Sequence, residues 1–225
     1  MNALPLINPV EVRNRLEQLG VTKEQLLEVV AAAVGGRNNC TSFDPRSAPG
    51  WSSWREGNRR LREILIPLGI GWELDETDGI PSVIHRERKM KITMCNTDAG
   101  TGLKDYHPQQ TSKKGAATEE IVSVNQSLFG EVMDSALLQN IVPLSRMNQP
   151  GFLACWYLCV YCDGDEVRAE LSCPIVCEDG YFKDFHERIF LTLDEDDGSG
   201  IKVRKQEPDG GDAGFEIPVK RKKAL

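Results

Sequence analysis

Residues 151–193 constrain the fold more than any other stretch of the chain. They read GFLACWYLCVYCDGDEVRAELSCPIVCEDGYFKDFHERIFLTL: an apolar run, a turn, an alternating run, a second turn and another apolar run. Asp163-Gly164 and Glu178-Asp179-Gly180 are the turns, because Gly takes positive φ without steric cost and Asp tolerates it. The first run, 152–161, is rich in aromatic and β-branched residues and short for a buried helix. It predicts a strand buried on both faces. Val167, Ala169 and Leu171 alternate with Arg168, Glu170 and Ser172, the pattern of a half-exposed strand beside it. Ile189, Leu191 and Leu193 close a three-stranded meander.

Upstream, the chain reads mainly as helix. Asn8 as cap, Pro9 in the first turn and Glu11 open one helix, with Val12, Leu16 and Leu19 as its apolar stripe and Gly20 as its stop. Thr22 and Gln25 open a second, running to Gly35-Gly36. The pair resembles a helix-turn-helix in outline, but LLEVVAAAV lacks the polar face that reaches base edges, so it is expected to pack inward. A Pro/Gly/Asn-rich loop, 38–50, precedes a third helix over 51–68. Trp51, Trp54, Leu61, Leu65 and Leu68 form its expected buried face, with Arg59, Arg60 and Arg62 opposite. Three short strands follow: Ile70, Trp72 and Leu74 alternate, Val83 and Ile84 belong to the next, and Met90, Ile92 and Met94 to the third. Thr118 is the expected cap of a fourth helix with Ile121, Val124, Leu128 and Val132 inward. A shorter helical piece is expected up to Ile141, before Pro143.

These elements predict an α+β fold. A helical pair occupies 1–36, and a core domain occupies 44–193. In that core a long Trp-bearing helix packs on antiparallel sheet. Residues 194–225, an acidic Gly-rich linker with a basic end, are expected to be disordered for want of apolar surface. A length of 225 residues suffices for one core of ordinary size. No run reaches the length of a membrane span, and the first residues lack a signal peptide's pattern, so a cytoplasmic protein is expected.

Three blocks stand out as a set: DPRSAPGWSSWREGNRRLREILIPLGIGWELDETDGIPSVIHRERKMKITMCNTDAGTG, TSKKGAATEEIVSVNQ and DEVRAELSCPIVCEDGYFKDFHERI. Together, over roughly Asp44 to Ile189, they resemble a family of uncharacterised bacterial, phage and mobile-element proteins. In these a leucine–arginine helix leads to a Gly-Trp strand, a strand ending in an N-x-D/E-x-G-T-G loop, and a final hairpin. The resemblance implies a phage, plasmid or integrative-element setting and carries over no catalytic role.

Several constellations offer chemistry. The loop Asn96, Asp98, Gly100, Thr101, Gly102 follows a strand, and its amides are of the kind that cradles phosphate, although the G-x-x-x-x-G-K-[ST] pattern is missing. Lys113 and Lys114 add cations ahead of the fourth helix. Arg59, Arg60 and Arg62 make a local basic cluster whose partner is nucleic acid, an acidic protein surface or the chain's own carboxylates. Of seven cysteines, five fall in the meander with spacing C-x3-C-x2-C-x10-C-x3-C. Interleaved with Trp156, Leu158 and Val160, they read as core thiols, so no metal is expected. Asp78 with Glu87 and Lys89 has the outline of a Mg²⁺-dependent nuclease.

A net charge of −7 gives no bulk attraction to phosphate. The leading expectation is therefore a non-catalytic accessory binding protein without cofactor, acting away from membranes. Its partner is nucleic acid, through the arginine helix and the 96–115 loop, or a host or defence protein, through the acidic surface. The nuclease is the alternative.

Overall fold

A computed structural model of the protein describes residues 5–129 and 153–192. They form four α-helices, α1 Pro9–Leu19, α2 Lys23–Asn38, α3 Ala48–Leu65 and α4 Ala116–Phe129. The strands are β1 Trp72–Asp75, β2 Ser82–His85, β3 Met90–Asn96, β4 Ala154–Asp163, β5 Glu166–Glu178 and β6 Tyr181–Phe190. The fold is α+β. One sheet holds all six strands in chain order. Every neighbouring pair is antiparallel except β3 and β4, which run parallel from Met90↔Ala154 to Asn96↔Val160. A parallel pair needs a crossover, and the connection carrying α4 supplies it.

The sheet has cover on both faces. Val12, Leu16, Leu26, Val30, Leu61 and others from α1, α2 and α3 pack on Ile92, Trp156, Leu158 and Leu171. The helix pair over 1–36 packs inward and shares the core of the sheet. On the other face Ile121 and Val122 of α4 meet Cys95, Cys155, Tyr157, Phe182 and Phe185. Two-sided cover explains why β4 is buried from Ala154 to Val160, as its unbroken apolar run predicts.

Capping sets the helix starts. The Asn8 side chain accepts from Val10 and Glu11 N–H, and Gly20 ends α1 at φ 79°. Thr22 and Gln25 exchange the two bonds of a capping box. α2 then runs through Gly35-Gly36 to Asn38 rather than stopping there. A Cβ on Gly36 would stand 2.8 Å from the Ser52 carbonyl oxygen, so glycine lets α3 lie directly against α2.

Two side-chain amides complete the sheet where its strands fall short. β2 pairs only with Met90 to Ile92, and Asn58 of α3 takes over at Met94, accepting from its N–H and donating to its C=O, both at 3.0 Å. Between β4 and β5 the ladder stops at Tyr157↔Ser172, because Pro174 has no N–H to give and β5 bulges around it. Asn125 of α4 fills the gap, accepting from Cys155 N–H at 2.8 Å and donating to Cys155 and Pro174 carbonyls at 2.9 and 2.8 Å. Buried backbone groups are thereby satisfied by helices on both sides.

Several expectations are corrected. The inward face of α3 is Ser53, Gly57, Asn58, Leu61 and Leu65. Trp51 is 56% exposed, stacked under Arg55 with the guanidinium 5.2 Å from its ring, and Leu68 is exposed as well. The helix begins at Ala48, and the face it turns inward carries the small residues Ser53 and Gly57, which leaves Trp51 on the solvent side. Ile70 and Leu74 are exposed while Trp72 is buried against His85, because β1 is a short edge strand covered only at its start. α4 starts two residues before Thr118, which is buried inside it, and Leu128 is exposed. Val132, the helical piece to Ile141 and the tail 194–225 lie outside the described residues.

Stability measurements separate the two ends of α3. Leu61→Ala removes a fully buried side chain and should cost about 2–5 kcal/mol in urea unfolding. Trp51→Ala should stay within about 0.5 kcal/mol of wild type.

Candidate functional site

The half-exposed pattern expected of β5 conceals a fully buried, heavily bonded ion pair. Glu170 and Arg188, on adjacent strands β5 and β6, are both 0% exposed. Arg188 donates Nε to Glu170 Oε1 at 2.8 Å and Nη2 to Oε2 at 2.6 Å, a two-point pair. Glu170 also accepts from Ser172 Oγ at 2.6 Å and from the Gly102 amide at 2.7 Å. Arg188 also donates Nη1 to the Tyr106 carbonyl and Nη2 to the Leu103 carbonyl. Alternation predicts solvent on this face, but the loop that leaves β3 folds back over it.

That loop is the one expected to cradle phosphate, and its polar groups are already engaged. Asp98 Oδ1 accepts from the amides of Gly100 and Gln109 at 3.1 and 3.0 Å. Buried Thr101 Oγ1 donates to the Asp98 carbonyl and accepts from Thr97 Oγ1, both at 2.7 Å. Asn96 accepts from Ser53 Oγ and donates to the Gly50 carbonyl, tying β3 to the start of α3. The glycines answer to packing and backbone: Gly100 lies against the His107 carbonyl, and Gly102 takes φ 70°. The loop amides are therefore spent within the molecule, Gly102 on Glu170 of the sheet and Gly100 and Gln109 on Asp98 of the loop itself. Lys114 holds the β5–β6 turn through its backbone N–H to the Gly180 carbonyl at 3.0 Å, next to Lys113.

The arginine cluster is neutralised from within. Arg59 bridges Glu56 at 2.7 Å and Glu63 at 2.9 Å, Arg60 pairs with Glu28 of α2 and with Glu63, and Arg62 reaches Glu76 at 2.9 Å. Burial pushes the Glu56 carboxyl up, but hydrogen bonds from Arg59 and Arg55 outweigh it and hold the group below its ordinary range. Hydrogen bonds donated to Glu28 and Glu63 raise Arg60 further.

The nuclease outline does not assemble. Asp78 sits in the turn between β1 and β2, while Glu87 and Lys89 sit in the turn at the opposite end of β2. Ser82 to His85 alone spans about 10 Å of strand. Arg88 of that turn donates to the Gln18 carbonyl at the end of α1 at 2.6 Å, so the turn serves as a helix cap. Among the described residues no group of three His, Cys, Asp or Glu side chains is arranged to hold a metal ion.

The cysteines lie on both faces of the sheet. Cys155 and Cys159 share the α4 side with Cys95, and Cys173 packs on the other. Burial pushes the Cys155 thiol up to about 12 and raises Cys173 strongly. Cys162 and Cys177 are partly exposed, and burial raises them too.

Recognition chemistry collects at one end of the molecule, where β3 and β4 finish. A cleft of about 260 Å³ there is lined by Arg37, Ser53, Asn96, Asp98, Tyr161 and Cys162 among others. Cys40, just beyond α2, contacts Ser52 Oγ, so the 39–47 loop and the start of α3 border the same end. In that loop Phe43 is 97% exposed, at the start of α3 Trp51 stacks with Arg55, and Tyr161 of the cleft stacks with Arg168 at 4.7 Å. Arg37 has no ion pair among the described residues. Sequence reasoning placed Trp51 inside and passed over Phe43, although an aromatic within the polar run NNCTSFDPRS was the available signal. Comparison with protein-family models, with curated proteins and with solved structures finds no match.

Two measurements follow. Glu170→Ala strands the buried Arg188 guanidinium and should cost about 3–5 kcal/mol, whereas replacing both partners by Met should recover much of the loss. Iodoacetamide at mildly alkaline pH should label Cys40, Cys162 and Cys177 in the native protein and leave Cys95, Cys155, Cys159 and Cys173 unmodified until denaturant is added.

Proposed function

We propose that this chain is a non-catalytic binding protein whose partner is another protein, met through the end of the molecule bearing Phe43, Trp51, Arg55 and Arg37. The observation that carries the reading is a contrast. Arg59, Arg60 and Arg62, the cations suited to phosphate, each pair with the chain's own carboxylates, while two large aromatics on the 39–51 segment stand open to solvent. Exposed Trp, Tyr and Arg side chains are the types that dominate protein–protein hot spots. Nucleic-acid binding would instead require phosphate-facing cations free of internal partners, against a net charge of −7. The setting we propose is a phage, plasmid or integrative element, with a host or defence protein as the partner. The resemblance over residues 44–189 supports that setting, and the acidic balance of the chain suits a basic partner surface.

The reading is tested by photo-crosslinking in producing cells. A crosslinker at Phe43 should capture one discrete protein, and the same group at Glu178, on the hairpin turn at the far end of the sheet, should capture none. Trp51→Ala should weaken the purified complex by at least about tenfold without lowering the melting temperature. In low-salt gel shifts the wild-type protein should move neither DNA nor RNA. A salt-dependent shift abolished by Arg59→Glu with Arg60→Glu would replace the protein partner with nucleic acid.

A further inference from the structure

A second cleft, of about 260 Å³, lies on the α4 face of the sheet, apart from the end just described. Its floor is Lys91 of β3 beside its register partner Ile84 of β2, and Ile121, Val124 and Leu153 form apolar walls. Lys91 is 7% exposed, so its stem is buried and its ammonium meets solvent only through the cleft, where it calls for hydrogen-bond acceptors. It has none among the described residues. The nearest carboxylate oxygen, Asp75 Oδ2, is 3.7 Å away, a distance for charge attraction rather than a hydrogen bond.

Asp75 is itself already occupied. Its Oδ1 accepts from Thr77 Oγ1 at 2.6 Å, and its Oδ2 from Ser82 Oγ at 2.8 Å. The unused capacity at the floor is therefore the donors of Lys91. At the mouth the sign reverses. Arg86 is paired with Glu73 at 3.1 Å, whereas Asp78 and Glu120 line the opening with no ion pair among the described residues. The cleft has a donating cation at its base, an apolar middle and two carboxylates at its lip.

We infer that this cleft binds a small amphiphilic zwitterion, with a carboxylate against Lys91, an aliphatic body along Ile84, Ile121 and Val124, and an ammonium between Asp78 and Glu120. The volume, at the small end of ligand pockets, suits a molecule of amino-acid size rather than a nucleotide. The polarity sets the orientation. A simple fatty acid would meet two carboxylates at the mouth, and a simple amine would leave Lys91 without an acceptor and add a like charge. This site is separate from the proposed protein-binding end, so each reading can fail without the other.

The probe is 6-aminohexanoate, titrated into the full chain and followed by amide chemical shifts, with hexanoate and hexylamine as the two half-ligands. Saturable shifts at millimolar concentration are expected for 6-aminohexanoate, centred on Ile84, Lys91 and Ile121, with each half-ligand at least about tenfold weaker. Lys91→Met should remove binding of 6-aminohexanoate and hexanoate alike. Glu120→Gln, a change on the exposed face of α4 with no fold risk, should weaken 6-aminohexanoate and leave hexanoate unchanged or stronger. The inference is overturned if 6-aminohexanoate gives no saturable shifts in the wild type. It is equally overturned if hexylamine binds as well as the zwitterion, or if Glu120→Gln changes neither ligand. Should Lys91→Met melt below the working temperature, Lys91→Arg replaces it, and retained binding there supports the floor as a cation site while its loss overturns it.

Discussion

Glu170 and Arg188 lie wholly out of solvent, and the arrangement of the molecule around them follows from what two buried charges require. Desolvating such a pair costs several kcal/mol per ion, and mutual attraction offsets that only when the remaining lone pairs and protons find partners. Here they find them in the loop after β3. Gly102 donates an amide to the carboxylate, and Leu103 and Tyr106 lend carbonyls to the guanidinium. The sheet cannot bury the pair unless the loop closes over it, and the loop has little apolar surface of its own to hold it there. Each is the condition of the other.

The same logic recurs with neutral groups. Asn58 and Asn125 reach from α3 and α4 to stand in for missing strand partners at Met94 and at the Cys155–Pro174 gap. An orphaned buried amide or carbonyl costs about 1–3 kcal/mol, so these asparagines fix how the helices sit on the sheet as well as satisfying it. Rigid anchoring of α3 has a functional consequence. Asn96 ties its first turn to β3 through the Gly50 carbonyl, so Trp51 is exposed on a well-held helix instead of a loose loop, which would lower the entropic cost of the proposed recognition.

Electrostatics divides the surface in a way that composition alone conceals. The arginines of α3 are consumed by Glu28, Glu56, Glu63 and Glu76. Arg37 by the end cleft, and Asp78 and Glu120 at the mouth of the other, have no ion pair among the described residues.

Local signals in the chain were enough for much of this. Caps at Asn8 and Thr22, the glycine stop at Gly20, the turns at Gly164 and at Asp179-Gly180, the double-sided burial of β4 and the alternation of core cysteines with Trp156 and Leu158 are all short-range patterns. Each depends on φ preference or on residues a few positions apart, so the sequence carries it directly. The inward set of α3 was harder, because two tryptophans outweigh Ser53, Gly57 and Asn58 on any hydrophobicity reading, although the small residues are what close packing selects. The pairing of Glu170 with Arg188, the closure of the 97–110 loop over them and the separation of Asp78 from Glu87 were decided by tertiary structure alone. Alternation along a strand reports only that successive side chains face opposite ways; whether the polar face meets water or a folded-back loop depends on segments more than sixty residues away, and burial energy is settled only when those segments arrive.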